Sequence, residues 1–141
     1  YNYDAYASLH APEFVAAITD TLRTAYGSSA KMSLDIDPLP ISHDRATPLA
    51  LLINEVVVNA LKYTDPEGAE AEISISLKPV TKDLGKLVIA DNGPGFDIAA
   101  GQAGMGSRII RGMVMQLGGS YNYTFDGGTE FSAEIHLGPI G

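Results

Sequence analysis

Two kinds of hydrophobic spacing alternate along this chain, and their order restricts the folds that it can adopt. Apolar residues recur every three or four positions after Pro12, Pro48 and Ser107, which is the spacing of amphipathic helices. Elsewhere apolar and polar residues alternate, as they do in strands with one buried face. The resulting order, α, β, α, β, β, α, β, β, predicts an α+β fold. We expect a two-layer sandwich with about three helices on one face of a mixed, mostly antiparallel sheet.

The predicted elements end at residues that interrupt regular structure. Gly118-Gly119 ends the third helix, and a turn at residues 126–128 separates the two strands of a closing hairpin. About six turn-type residues separate the second and third strands, which favours an antiparallel pair. The predicted helices span about residues 12–26, 47–63 and 107–117, and the predicted strands span residues 32–36, 73–77, 85–90, 120–125 and 129–137.

The chain has 141 residues, which is the length of one ordinary domain. We therefore predict a single domain over residues 1–141. Residues 1–11 show little periodicity and are interpreted as a tail or a linker from an upstream region. Residues 92–106 form a Gly-rich stretch that is too long for an ordinary connector, and this favours a functional lid.

Charge and composition exclude several classes of function. Nine Lys and Arg residues against 17 Asp and Glu residues give a formal charge of −8, which repels nucleic acids and anionic membranes. We expect no nucleic-acid partner and no direct membrane contact. Because the overall charge is negative, any phosphate ligand must be bound by groups in its immediate surroundings. The chain has no cysteine, which excludes disulfides, thiolate metal sites and cysteine nucleophiles.

The second helix carries a polar stripe on an otherwise apolar sequence. Glu55, Asn59 and Lys62 follow one another at intervals of four and three residues, so they share one face of the helix. Alone, this pattern fits a solvated helix face as well as it fits a binding site.

Two Gly-containing segments follow. Residues 91–96, Asp-Asn-Gly-Pro-Gly-Phe, come directly after a predicted strand, and their glycines allow a ligand to approach the backbone. Residues 104–108 precede the third helix, whose N-terminal N–H groups could bind an anion such as phosphate. Taken separately, the first segment also fits a plain turn and the second a flexible loop.

Together these segments resemble the ATP-binding domain shared by histidine kinases, type II topoisomerases, Hsp90-type chaperones and MutL-type repair proteins, the GHKL superfamily with its Bergerat-type fold. Residues 54–63 resemble its N box, residues 91–96 its first glycine box and residues 104–106 its second. Gly128-Thr129 resembles its terminal Gly-Thr pair.

Further residues are similar to the sensor histidine kinases within that superfamily. Residues 116–119 and the closing Gly-Thr-Glu-Phe strand resemble theirs, and Glu55 with residues 106–108 is similar to the HisKA_2 and HWE-type kinases. The chain differs from the HWE-type pattern in carrying Asn54 in place of His and in lacking that group's Trp-x-Glu.

The resemblance implies a set of residues around the base of ATP. Asp91 would accept a hydrogen bond from the adenine amino group, and Gly93 and Gly95 would keep that edge accessible. Thr129 would place a hydroxyl near the same base, directly or through water.

It also implies a set of residues around the phosphates. Asn59 would bind Mg²⁺ through its amide oxygen, a ligand type that this ion accepts together with waters and phosphate oxygens. Glu55 would be the catalytic residue and would orient an attacking group or a metal-bound water. The residues expected to contact phosphate are Lys62, Tyr63, Gly104, Gly106 and Arg108.

The function that the resemblance implies is the ATP-binding catalytic domain of a sensor histidine kinase. It would bind Mg·ATP and transfer the γ-phosphoryl group to a histidine on a dimerisation hairpin that is absent from this chain. Its partners would be that phosphoacceptor domain and, indirectly, a response regulator, in a cytoplasmic two-component phosphorelay whose parent protein can be membrane-anchored. The alternatives are an anti-sigma-factor serine kinase of the same superfamily and a non-catalytic phosphotransfer scaffold.

Overall fold

Three helices and seven strands make up the part of the chain that the computed structural model describes, residues 8–26, 30–64, 72–92, 105–125 and 127–139. The predicted lid therefore lies largely outside the described residues. The helices are α1 (Ala11–Tyr26), α2 (His43–Thr64) and α3 (Met105–Gln116). The strands are β1 (Ser8–His10), β2 (Lys31–Ile36), β3 (Pro40–Ser42), β4 (Glu72–Pro79), β5 (Leu84–Asp91), β6 (Ser120–Thr124) and β7 (Thr129–His136).

Five strands form the main sheet in the order β2-β4-β5-β7-β6. The β2–β4 pair is parallel, and the other three pairs are antiparallel. On the central strands, alternate residues such as Ile75, Leu87 and Phe131 are buried on one face, where the helices pack. The predicted two-layer α+β architecture, with its mixed and mostly antiparallel sheet, is confirmed.

The central helix of the helical layer is α2, which contacts α1, α3 and the sheet. Its fully buried residues include Leu49, Leu52, Ile53 and Val57. Burial of each such side chain contributes about 1.5–3 kcal/mol, so the hydrophobic effect determines how this helix is rotated against the sheet. That rotation also sets the direction in which the polar residues of α2 point.

The start of α2 differs from the prediction, because the helix begins at His43 and Pro48 lies inside it. Proline removes one backbone hydrogen bond and so favours a helix start at Thr47. The extra turn is held by tertiary contacts of Arg45, whose Nε donates to the Gly138 carbonyl at 2.9 Å and whose guanidinium also donates to the Gln116 carbonyl at 3.1 Å. The second bond satisfies a carbonyl in the last turn of α3.

Strands β1 and β3 were not predicted. They form a separate two-stranded antiparallel sheet in which Leu9 lies opposite Ile41. A three-residue strand is too short to show alternation, and its partner lies about 30 residues away, so local sequence gives no signal. Ser8–His10, which the sequence analysis placed in a tail, therefore belongs to regular structure.

The edge strand β2 is less buried than its alternating sequence predicts. Met32, Leu34 and Ile36 share the helix-facing side of the sheet, but Leu34 is 39% exposed and the other two are only partly buried. An edge strand has a neighbouring strand on one side only, which leaves its side chains less covered than those of β4 or β5.

The predicted end of α3 at Gly118-Gly119 is confirmed and has the geometry of a Schellman motif. Gly118 has a φ of 64°, its N–H donates to the Met115 carbonyl, and the Gly119 N–H donates to the Val114 carbonyl, both at 3.0 Å. Gly119 also lies so close to β7 that an added Cβ would stand 1.9 Å from the Glu134 carbonyl oxygen. At its other end α3 begins at Met105, two residues before the predicted start.

No helix in the described ranges has the length and apolar character needed to span a membrane.

Two glycines of the α3 region are expected to respond oppositely to alanine. Gly119→Ala should lower the free energy of unfolding by about 1–3 kcal/mol, because its Cβ would collide with the β7 backbone. Gly112→Ala should raise it by about 0.5–1 kcal/mol, because Gly112 lies inside α3 and its Cβ would meet nothing within 4 Å. Urea denaturation followed by circular dichroism measures both. Equal effects of the two substitutions would contradict the packing described for Gly119.

Candidate functional site

A narrow cleft lies between α2 and the adjacent ends of β5, β6 and β7. It brings together three of the predicted site residues, Asn59, Asp91 and Thr129. The cavity volume of about 10 Å³ is room for about one water molecule, so a larger ligand would lie over the cleft and reach its floor directly or through water. The lining residues are Val56, Asn59, Ala60, Ile89, Asp91, Tyr123, Thr129 and Phe131.

Asp91 is the last residue of β5 and lies directly opposite Thr129, the first residue of β7. One carboxylate oxygen of Asp91 accepts a hydrogen bond from the Thr129 backbone N–H at 3.3 Å. The strand pairing and this bond together hold the carboxylate at the rim of the sheet. Asp91 remains partly exposed, so its side chain is accessible to a ligand.

Thr129 supplies a buried hydroxyl that no described residue bonds. The residue is 6% exposed, and its Oγ1 has no hydrogen-bond partner among the described residues. Leaving a buried hydroxyl unpaired costs about 1–3 kcal/mol, so such groups are usually satisfied by a water or a ligand. Since Thr129 lines the cleft beside Asp91, this pair suits a ligand edge that carries both hydrogen-bond donors and acceptors.

The glycine before Thr129 is required by the geometry of the site. Gly128 has a φ of 139°, and a Cβ added there would stand 2.1 Å from the Asp91 carbonyl oxygen. No other residue type allows the start of β7 to approach the end of β5 so closely. The close approach of the two strand ends thus explains why a glycine precedes Thr129, which the sequence pattern alone could not show.

Asn59 is 8% exposed and enters the cleft from the C-terminal half of α2. Tyr123 of β6 lines the same cleft. A nearly buried amide in the lining of a cleft is a defined polar group rather than part of a solvated helix face.

Tyr123 is a site residue that the sequence analysis missed. Burial raises the pKa of Tyr123, and the negative charge of Asp91 raises it further, so the phenol stays neutral over the whole physiological range. The sequence predicted only a strand over residues 120–125 and gave Tyr123 no role in the site. The pairing of Tyr123 with Phe131 across the β6–β7 hairpin is what places its ring in the cleft.

The residues expected to surround phosphate and metal are less closely gathered. Glu55 is partly buried one turn before Asn59 and does not line the cleft, whereas Lys62 and Arg108 are exposed on α2 and α3. Gly106 lies in the first turn of α3. The predicted roles of Gly93, Gly95 and Gly104, and of the Tyr63 side chain, fall outside the described residues. All these assignments stay predictions.

The polar groups in the cleft suit a nucleotide with its bound metal ion better than a metal ion alone. The described ranges hold no cluster of three or more His, Asp or Glu that could bind an ion. The Asn59 carboxamide is one hard oxygen ligand, and Mg²⁺ usually takes only one or two protein ligands and completes its shell with waters and phosphate oxygens. A roomier cleft of about 310 Å³ beside β1 and β3 has no such convergence of buried polar groups.

Comparisons with known proteins agree with this geometry. Residues 44–139 match the family described as "Histidine kinase-, DNA gyrase B-, and HSP90-like ATPase". Blue-light-activated histidine kinase 2 of Erythrobacter litoralis (strain HTCC2594) is 26% identical over 111 residues, which cover 76% of this chain and 32% of that protein. The chain therefore spans about a third of the length of this relative.

Solved structures are similar over most of the chain. The histidine kinase domain of the Erythrobacter litoralis EL346 blue-light activated histidine kinase superposes with a TM-score of 0.77 at 23% identity, covering 88% of this chain and 61% of that one. The mycobacterial sensor histidine kinase MprB gives a TM-score of 0.74 at 19% identity, covering 94% and 98%. At these identities the likeness establishes a shared fold.

The family match covers more than half of the chain and includes the helix and the strands that form the cleft. The resemblance inferred from the N box and the glycine boxes is thereby confirmed. The chain belongs to the histidine kinase-, DNA gyrase B- and HSP90-like ATPase family, the GHKL superfamily.

Proposed function

We propose that this chain is the ATP-binding catalytic domain of a sensor histidine kinase, which binds Mg·ATP and phosphorylates a histidine on the dimerisation hairpin of its parent protein. The observation that carries the proposal is the convergence of Asp91, Thr129 and Asn59 on one cleft, where no residue of the described ranges bonds the buried Thr129 hydroxyl. Family membership supports ATP as the ligand. The histidine kinase named above, a relative at 26% identity, supports histidine as the acceptor.

The base of ATP is recognised at the rim of the sheet. The Asp91 carboxylate accepts a hydrogen bond from the adenine amino group, and the Thr129 hydroxyl bonds the same edge directly or through one water. Ile89 and Val56 supply the apolar sides of the cleft. Gly93 and Gly95 would leave the base edge uncovered, as their place in the glycine box implies.

The phosphates lie toward Asn59 and the ends of α2 and α3. The Asn59 amide oxygen would hold Mg²⁺ there, and the ion would supply charge neutralisation. Lys62, Tyr63 and Arg108 would add contacts, and Gly104 and Gly106 would add backbone N–H groups, as their place in the second glycine box implies. Local positive charge is needed because the chain as a whole carries −8.

Glu55 orients the nucleophile for transfer. An imidazole nitrogen of the acceptor histidine attacks the γ-phosphorus, the bond to the β–γ bridging oxygen breaks, and ADP leaves. The Glu55 carboxylate accepts a hydrogen bond from the other imidazole N–H and aligns the ring for in-line attack. The wider proposal places residues 1–141 as one cytoplasmic domain of a two-component phosphorelay, with a response regulator as the indirect partner.

Replacing the Asp91 carboxylate should weaken and broaden nucleotide recognition. Asp91→Asn is expected to raise the Kd for a non-hydrolysable ATP analogue about 10–100-fold, since hydrogen bonds to charged groups are worth about 1.5–3 kcal/mol. It should also reduce discrimination against inosine triphosphate, which carries a carbonyl in place of the amino group. Isothermal titration calorimetry measures both constants.

Asp20→Asn is the matched control for that experiment. Asp20 is exposed on α1 and pairs only with the neighbouring Arg23 among the described residues, so its neutralisation should leave the Kd within about twofold. Failure of the unmutated chain to bind any adenine nucleotide would favour the non-catalytic scaffold instead. Unchanged affinity in Asp91→Asn would contradict the assignment of Asp91 to the base.

Glu55 is expected to act on transfer rather than on binding. In the full-length protein, Glu55→Gln should lower the rate of histidine phosphorylation about 100-fold or more and keep the Kd for Mg·ATP within about threefold. Transfer of labelled phosphate from ATP measures the rate, and the acid lability of the product distinguishes phosphohistidine from phosphoserine. A stable phosphoserine product on another protein would contradict the histidine kinase assignment.

A further inference from the structure

We propose that Tyr123 determines the specificity of the base site, because its ring fills the space beside the adenine amino group and excludes nucleotides that carry a large substituent on that nitrogen. The ligand class is thus adenine nucleotides whose amino group carries no large substituent. This inference rests on the proposed function, since it concerns the same nucleotide site. It gives a role to a residue that lies in none of the sequence motifs.

The cleft leaves little space around its polar groups. Its volume of about 10 Å³ is room for about one water molecule, and Asp91, Thr129 and Tyr123 all line it. An amino group that donates to the Asp91 carboxylate therefore lies close to the Tyr123 side chain. One N–H is enough for that hydrogen bond, so a substituent that replaces the other N–H has to enter the space that the lining side chains leave.

Among the described residues that line the cleft, Tyr123 is the large side chain that stands outside the fully buried core. Phe131, Ile89 and Val56 also line the cleft, but each is at most 4% exposed and belongs to the core between the sheet and α2. Tyr123 is only partly buried and packs against that core. We therefore assign the floor of the cleft to the core residues and its side wall to Tyr123.

The place of Tyr123 in the sheet determines what its removal would do. Strand β6 is the last in the order β2-β4-β5-β7-β6, so within the described residues no further strand of this sheet lies beyond it. Loss of the ring would therefore open the cleft sideways toward solvent. A side opening of that kind can take up part of a ligand, whereas a closed void in the core would only cost stability.

The ring of Tyr123 is held in place by three aromatic neighbours. It meets Phe131 edge-on at a centroid distance of 5.2 Å, stacks on Phe125 at 6.0 Å and meets Tyr121 edge-on at 6.3 Å. Rotation of the ring to admit a substituent would break these contacts. Because Phe131 is fully buried and has no free space to move into, a displaced ring would also strain the core.

The test compares nucleotides of increasing size at the adenine amino group. The probes are ADP, methyl-ADP and benzyl-ADP, where the named group replaces one hydrogen of the amino group; diphosphates are used because they have no γ-phosphoryl group to transfer. Isothermal titration calorimetry on the unmutated chain measures the Kd of each. Methyl-ADP should bind within about fivefold of ADP, because a methyl group is about the size of one water. Benzyl-ADP should bind at least about 30-fold more weakly, because its phenyl group meets the Tyr123 ring.

Substitution of Tyr123 then separates the ring from the hydroxyl. Tyr123→Val removes the ring and keeps a residue that favours strands. The ratio of the Kd for benzyl-ADP to the Kd for ADP should fall about 10-fold or more, because the phenyl group occupies the space of the lost ring. Tyr123→Leu, which also lacks the ring, should lower the ratio in the same direction. Tyr123→Phe keeps the ring and should keep the ratio within about threefold of its value in the unmutated chain.

Tyr121→Val is the matched control. Tyr121 lies two residues away on β6, so it faces the same side of the sheet, and it stacks on Phe131 at 5.7 Å without lining the cleft. The substitution removes the same side chain from the same strand and should leave the ratio within about threefold. Circular dichroism and thermal unfolding check that each variant is folded.

The inference and the function on which it rests fail in different ways. If the unmutated chain binds no adenine nucleotide, the proposed function is wrong and the inference falls with it. If the unmutated chain binds ADP and benzyl-ADP equally well, the inference alone is overturned, and this result needs no variant. Equal weakening by the methyl and benzyl groups would also overturn it, since the loss would then come from the missing N–H.

The variants supply two further outcomes that would overturn the inference. One is a folded Tyr123→Val or Tyr123→Leu that still excludes benzyl-ADP as strongly as the unmutated chain does. The other is an equal fall of the ratio in Tyr121→Val, since the effect would then reflect a loosened hairpin. A fall in Tyr123→Val alone, with the ratio retained in Tyr123→Phe, is the result that supports Tyr123 as the wall of the base site.

Discussion

The antiparallel pairing of β5 with β7 is the contact on which the site depends. It places Asp91 opposite Thr129, and Gly128 allows the two strand ends to approach more closely than a side chain would permit. The hydrogen bond from the Thr129 backbone to the Asp91 carboxylate is a direct consequence of that register. A shift of one residue in the pairing would turn Thr129 away from the cleft. The Asp91 carboxylate and the Thr129 hydroxyl would then no longer lie side by side.

The second constraint is the burial of α2 against the sheet. Its leucine, isoleucine and valine side chains fill the space between the layers, and this leaves one orientation in which Asn59 reaches the rim of the sheet. The polar group is therefore placed by the hydrophobic effect acting on its neighbours. Tyr123 of β6 lines the same cleft.

Much of the fold and part of the site could be predicted, for reasons that differ by residue. The alternation in β4, β5 and β7 predicts strands because both neighbours of each are present and one face is buried. The burial of β2 was overestimated because the local spacing of residues does not show which strand lies at the edge of a sheet. Strands β1 and β3 were missed because three residues are too few to show an alternating pattern. Pro48 predicted a later start for α2, whereas Arg45 holds an additional turn through carbonyls far along the chain.

The sequence by itself determined which functional groups are present and where they lie along the chain. They are a carboxylate at a strand end, an amide one helical turn after a glutamate, and a Gly-Thr pair at the start of the last strand. These follow from local spacing, which periodicity and short motifs can report. Only the tertiary structure decided that Asp91, Thr129 and Asn59 share one cleft and that Tyr123 belongs with them. The reason is physical. Strand register and helix rotation depend on the burial of side chains that are distant in sequence, so the meeting of two polar groups is a property of the packed layers.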